Sequence, residues 1–163
     1  MLRSIGIVFS IAAVSGAVLA QPATTTLRGA PPDSYKFLSH DELTRMLTTP
    51  ESGRAYSASV INDHEYYYSE FVKRLDHGNM VEQHGHWVDQ ITILSGSGTL
   101  TYGGVIPGAA PNAAGEVRGA SQTDGKTRTL QPGDFFIIPA GMPHKIDAAK
   151  GQTLNYVVFK ARV

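Results

Sequence analysis

The sequence predicts an all-β fold, a single antiparallel β-barrel preceded by one short helix. Three observations carry this. From residue 55 onward, short runs rich in Val, Ile, Tyr, Phe and Thr alternate with turns built from Gly, Pro, Asn and Asp. A helix-start signal, Ser39-His40-Asp41-Glu42, precedes these runs and has capping-box spacing. Two glycine-anchored segments that carry histidines, Gly78 to Gly96 and Gly133 to His144, fall where strands and tight turns alternate.

Taken in order, the first 20 residues have the pattern of an export signal. Arg3 gives a positive start, Ile5 to Val18 is apolar, and Val18-Leu19-Ala20 fits a small-residue cleavage site before Gln21. The apolar stretch is short for a membrane span, although an uncleaved N-terminal anchor is the alternative. The expectation is a secreted or periplasmic protein with no membrane association after cleavage. Residues 21–32, rich in Thr, Pro and Ala, read as a flexible leader. Residues 33–163 then form one domain. The helix runs from Ser39 to about Leu47 and stops before Pro50. Strands are predicted at 55–61, 65–75, 80–86, 90–94, 99–102, 127–130, 135–138, 144–147 and 154–159. Residues 103–125 are rich in Gly, Ala, Pro, Asn and Ser and lack apolar pattern, which predicts a long loop without secondary structure, either a functional lid or a surface insertion.

Composition narrows the chemistry. Removing 20 of 163 residues leaves 143, enough for one core. The chain has no cysteine, so neither disulfides nor thiolate ligands are available. Its 14 basic and 14 acidic residues balance and form no basic stripe, so nucleic acid is not an expected partner.

The histidines are the chemically informative residues. His84 and His86 are two apart, and on a continuous strand both side chains face one way. Two imidazoles on one inner face are costly to bury unless a cation joins them. His144 follows Pro139-Ala140-Gly141-Met142-Pro143, a turn stiff enough to fix its direction. The residues thus read as a metal site inside a barrel. Glu82 lies two before His84 and on the same predicted face. It reads as an acid/base catalyst, as a group orienting a histidine, or as a rim glutamate in water. His40, His64 and His77 fit no ligand spacing and read as surface residues.

The segments Gly78-x5-His84-x-His86 with Gly96, and Gly133-x5-Pro139-x-Gly141-x2-His144, resemble the paired motifs of the cupin superfamily, G-x5-H-x-H-x3,4-E-x6-G and G-x5-P-x-G-x2-H-x3-N. Ala148 stands where that pattern ends in Asn. The resemblance implies a jelly-roll barrel and a metal held by His84, His86, His144 and one further residue. Counting forward from His86 gives Gln90 as the fourth; counting back from Gly96 gives Asp89. The interval is one residue short, with the shortening read into the turn at Trp87-Val88. Asp89 inward would put Ile91 and Ile93 on the same face, and a carboxylate suits a divalent cation, so Asp89 is favoured while Gln90 stays open. Three imidazoles and one oxygen donor suit Mn, Fe, Ni, Zn or Cu.

One barrel hosts many chemistries, so the resemblance implies a range of activities. The leading reading is a small-molecule metalloenzyme of dioxygenase, isomerase or lyase type. A non-catalytic small-molecule or metal-binding barrel is the alternative. The absence of Arg or Lys inside the motifs, Lys145 apart, favours a neutral or aromatic substrate. Cupin-like chains commonly pair, and residues 65–75 are long and apolar enough to serve as the edge of a homodimer.

Overall fold

The computed structural model describes residues 37–47, 50, 54–63 and 65–163. The signal peptide and leader expected from the sequence, and His64, lie outside the described residues. Among the described residues the chain forms one helix and ten strands: α1 (His40–Met46), β1 (Tyr56–Asp63), β2 (Tyr67–Arg74), β3 (Val81–His84), β4 (Trp87–Ser95), β5 (Gly98–Tyr102), β6 (Glu116–Gly119), β7 (Lys126–Leu130), β8 (Phe135–Ile138), β9 (His144–Ala148) and β10 (Leu154–Arg162).

The helix starts where the capping box puts it. The Ser39 hydroxyl accepts the Glu42 N–H, and the Glu42 carboxylate accepts the Ser39 N–H at 2.7 Å. At its other end, the Ser59 hydroxyl donates to the carbonyl of Met46 at 2.8 Å, tying α1 to β1.

The strands form two five-stranded sheets, ordered β1-β2-β10-β4-β8 and β6-β3-β9-β5-β7, with every pair antiparallel. This all-β jelly-roll architecture is the one predicted. Alternation along the strands fills the space between the sheets. Ile91 and Ile93 from β4, Leu154, Tyr156 and Val158 from β10, Leu100 from β5 and Ile146 from β9 all join one core cluster. Each fully buried Ile or Leu contributes about 1.5–3 kcal/mol over its exposed state. Gly96 turns β4 into β5 at φ +82°, and a Cβ there would stand 2.0 Å from the Thr153 carbonyl oxygen, which explains the motif glycine.

The structure corrects three expectations. Strand β2 is not an edge, because β1 covers one side of it and β10 the other; β1 and β8 are the edges of that sheet. Residues 103–125 are not structureless. They contain β6, paired to β3, and a bridge between Val105 and Thr123. Val117 supplies the apolar anchor, buried in an otherwise polar segment, and a single such residue leaves no periodicity to read. Finally, β3 ends at His84 instead of 86. Gly85 and His86 form the corner that takes the chain from one sheet to the other, and Trp87 already pairs with Arg162 on β10.

Candidate functional site

Three cross-strand pairs build the site. Glu82 on β3 faces His144 on β9, His84 on β3 faces Glu116 on β6, and Asp89 on β4 faces Lys160 on β10. Directly opposed residues on antiparallel strands share a face, so each pair delivers two polar side chains to the barrel interior. His84, Asp89, His144 and Lys160 are all buried.

Each imidazole is held by its Nδ1. His84 donates Nδ1–H to the Glu116 carboxylate, and His144 donates Nδ1–H to the Met142 carbonyl at 3.1 Å. Both Nε2 atoms are thereby left to face the cavity. The proline-glycine turn sets the position of His144 as expected, and Gly141, at φ +79°, donates its N–H to the His84 carbonyl at 2.8 Å, joining the two motifs through the backbone.

Lys160 enters between these groups. Its Nζ donates to both Asp89 oxygens at 2.7 Å and lies 2.9 Å from Nε2 of His84. Lys160 thus bridges the Asp89 carboxylate and the His84 ring. Burial alone would raise the Asp89 pKa, but His84, whose Nε2 lies 3.4 Å away, and the charge of Lys160 outweigh it and bring it to about 2. For His84, burial opposes the charged ring, yet Asp89 and Glu116 hold its pKa above the ordinary value. Burial holds His144 below it, in the neutral form a metal ligand needs.

Asp89 points inward with Ile91 and Ile93, whereas Gln90 is exposed on the outer face opposite Ile137 and Phe159. His86 is the departure from expectation. It is exposed at the corner and does not join His84. The two-residue period holds only within a continuous strand, and the strand has already ended. The inward partner two residues from His84 is Glu82 instead. Ligand atoms of Glu82, His84 and His144 all lie within 4.8 Å of one another. Counted from His84, the spacing Glu82-x-His84-x4-Asp89-x6-Gly96 keeps both later intervals of the cupin pattern, so the missing residue at Trp87-Val88 disappears. Three residues then separate Gly78 from Glu82, where the pattern has five.

The surrounding cavity of about 330 Å³ is large enough for a small molecule. Val72, Ile91, Ile146 and Val158 form its apolar floor, shared with the core. Tyr68 is the inward member of the tyrosine run and meets Trp87 edge-on at 5.0 Å. Cationic groups also line it, which overturns the picture drawn from the motifs alone. Arg74 donates through Nε and Nη2 to the Tyr156 hydroxyl, at 2.9 and 2.8 Å, and Arg118 donates to Glu82 at 2.8 Å. Burial would raise the Glu82 pKa, but Arg74 and Arg118 hold it below the usual carboxylate value. Of the remaining histidines, His40 is exposed and His77 pairs with Asp76 at 2.6 Å on the surface.

Two signals for the missed residues were present. Lys160 continues the inward series Leu154, Tyr156, Val158 by one more step of two. Arg74 is likewise in phase with Val72. Glu116 had no signal, since nothing in its glycine-rich surroundings marks a strand.

No protein-family model matches the chain, and neither does any curated protein. Among solved structures it is similar to a protein with a double-stranded β-helix domain from Klebsiella pneumoniae, at 16% identity over 78% of this chain and 90% of that one, with a TM-score of 0.56. It is similar to the cupin domain of Cnp3 from Schizosaccharomyces pombe, at 15% identity over 68% and 66% with a TM-score of 0.50. It is also similar to FeII HppE, at 14% identity over 80% and 62% with a TM-score of 0.55. The fold is the double-stranded β-helix that these structures share. Its interior carries Glu82, His84 and His144 in an arrangement that could hold a metal ion.

Proposed function

We propose that the chain is a small-molecule enzyme whose barrel holds one divalent transition metal through Glu82, His84 and His144, with Asp89 as a further oxygen donor. The observation that carries this is the convergence of the three ligand atoms within 4.8 Å, with both Nδ1 positions already committed elsewhere. Two imidazoles and a carboxylate are the donor set of non-haem iron oxygenases, and also suit manganese or zinc. A bound ion would supply Lewis-acid character and open positions for water, dioxygen or substrate. The residues around it do the rest. Val72, Ile91, Ile146 and Val158 exclude water, Tyr68 and Trp87 present an aromatic wall, and Arg118 offers a half-exposed cation for an electron-rich substrate end. The reaction class is dioxygenase, isomerase or lyase.

Metal analysis of the purified protein, followed by an oxygen-uptake screen on aromatic diols and diketones, tests the reading. A chain that takes up none of manganese, iron or zinc rejects it. One observation favours the second reading, a binding barrel without turnover: Lys160 already places a cation on Asp89 and His84.

The same proposal takes the protein to be exported, as residues 1–20 suggest, and to form a homodimer. An apolar outer surface supports the dimer, with Phe135 and Ile137 more than half exposed on β8 and Phe159 nearby on β10. A monomer mass by light scattering at micromolar concentration rejects the dimer.

A further inference from the structure

We infer that Lys160 is a tethered cation that competes with the metal for the same donors, so that the ion binds only by displacing it. The inference rests on the metal reading above and concerns a residue outside both sequence motifs. The Lys160 ammonium is hydrogen-bonded to both oxygens of Asp89, at 2.7 Å, and faces Nε2 of His84 at 2.9 Å. With Nδ1–H of His84 given to Glu116, Nε2 has one lone pair to offer. An ion bound there would need that same lone pair. One lone pair serves the ammonium or the ion, not both.

The seat of Lys160 is built, not incidental. Its Cα is the register partner of Asp89, and the side chain is buried on the inward face of β10 in phase with Tyr156 and Val158. Four carboxyl groups (Glu70, Glu82, Asp89 and Glu116) and three cations (Arg74, Arg118 and Lys160) line the cavity. The cavity of about 330 Å³ beside it gives the flexible four-carbon stem room to withdraw. Once displaced, the primary ammonium faces whatever molecule the cavity holds. Metal loading and the presentation of Lys160 to a ligand are then one event.

The test compares the wild type with Lys160→Met and Lys160→Gln, each checked by circular dichroism, in calorimetric titrations with Mn²⁺ and Zn²⁺. Removing the competitor is expected to tighten ion binding by roughly 5–150-fold, the usual range of coupling between sites. A second measurement uses the wild type alone and so does not depend on the variants folding. Amine acylation of Lys160, read by mass spectrometry, is expected to rise when the ion is added. Unchanged or weaker affinity in both variants overturns the inference and leaves the metal site standing. So does acylation that stays constant while the ion binds. Failure of all three chains to bind either ion overturns the metal reading and the inference together. Binding by the variants alone also overturns the inference, because no ion then displaces the lysine in the native protein.

Discussion

Glu116 accepts the Nδ1 proton of His84 from the neighbouring strand, and that contact decides which ring nitrogen faces the cavity. The two residues are 32 positions apart, and Glu116 comes from a segment whose composition reads as loop. Partners of this kind fix tautomer and orientation, and losing one typically costs roughly 10–100-fold in metal affinity. Glu116→Ala is expected to weaken Zn²⁺ binding by that factor while the barrel stays folded. Competition with a chromophoric chelator measures it, and an unchanged affinity would mean that Glu116 does not orient the ligand.

The inward and outward residues of the first motif should separate cleanly. Glu82→Ala, His84→Ala and His144→Ala are each expected to lose stoichiometric metal, whereas His86→Ala and Gln90→Ala keep it. The reason is placement: the first three converge, and the last two are exposed. Elemental analysis of the five variants reads the outcome directly. Loss of metal in His86→Ala would show that the corner refolds to bring His86 inward.

Asp89 makes acid stability a readout of the site. Its folded pKa of about 2 lies below the ordinary aspartate value of 3.8, so the group stabilises the folded state above the unfolded value and loses that contribution as the pH falls towards 2. The shift corresponds to about 2 kcal/mol at neutral pH. Urea unfolding between pH 5 and about 2 should therefore fall more steeply for the wild type than for Asp89→Asn. Parallel curves would place the acid-sensitive groups elsewhere.

Tyr156 supports the floor of the cavity through Arg74. Its hydroxyl accepts from Nε and Nη2 of that buried guanidinium, while Asn79 accepts from Nη1 at 3.1 Å. Tyr156→Phe leaves two buried donors without their acceptor, and the expected destabilisation is about 1–3 kcal/mol. Denaturant midpoints measure it. A cost near zero would mean that water or a neighbouring side chain replaces the hydroxyl.

Much of this protein was legible in its chain. The capping box at Ser39, the turn glycines and the alternation along β4 and β10 are local features, and the physics that reads them is local too: hydrogen bonds three residues apart, sterics at positive φ, and a side-chain period of two. They determined the all-β fold, the helix, and the inward direction of Asp89 over Gln90. What the sequence could not determine was where that period breaks. His84-x-His86 looks like one face only if the strand continues, and the corner at Gly85 depends on the next sheet being there to receive Trp87. Pairing across the barrel decided the rest. It set Glu82 against His144, Glu116 against His84 and Lys160 against Asp89. Cross-strand neighbours are distant in sequence, so their contact is a property of register, and register is fixed only when both sheets close on a common core.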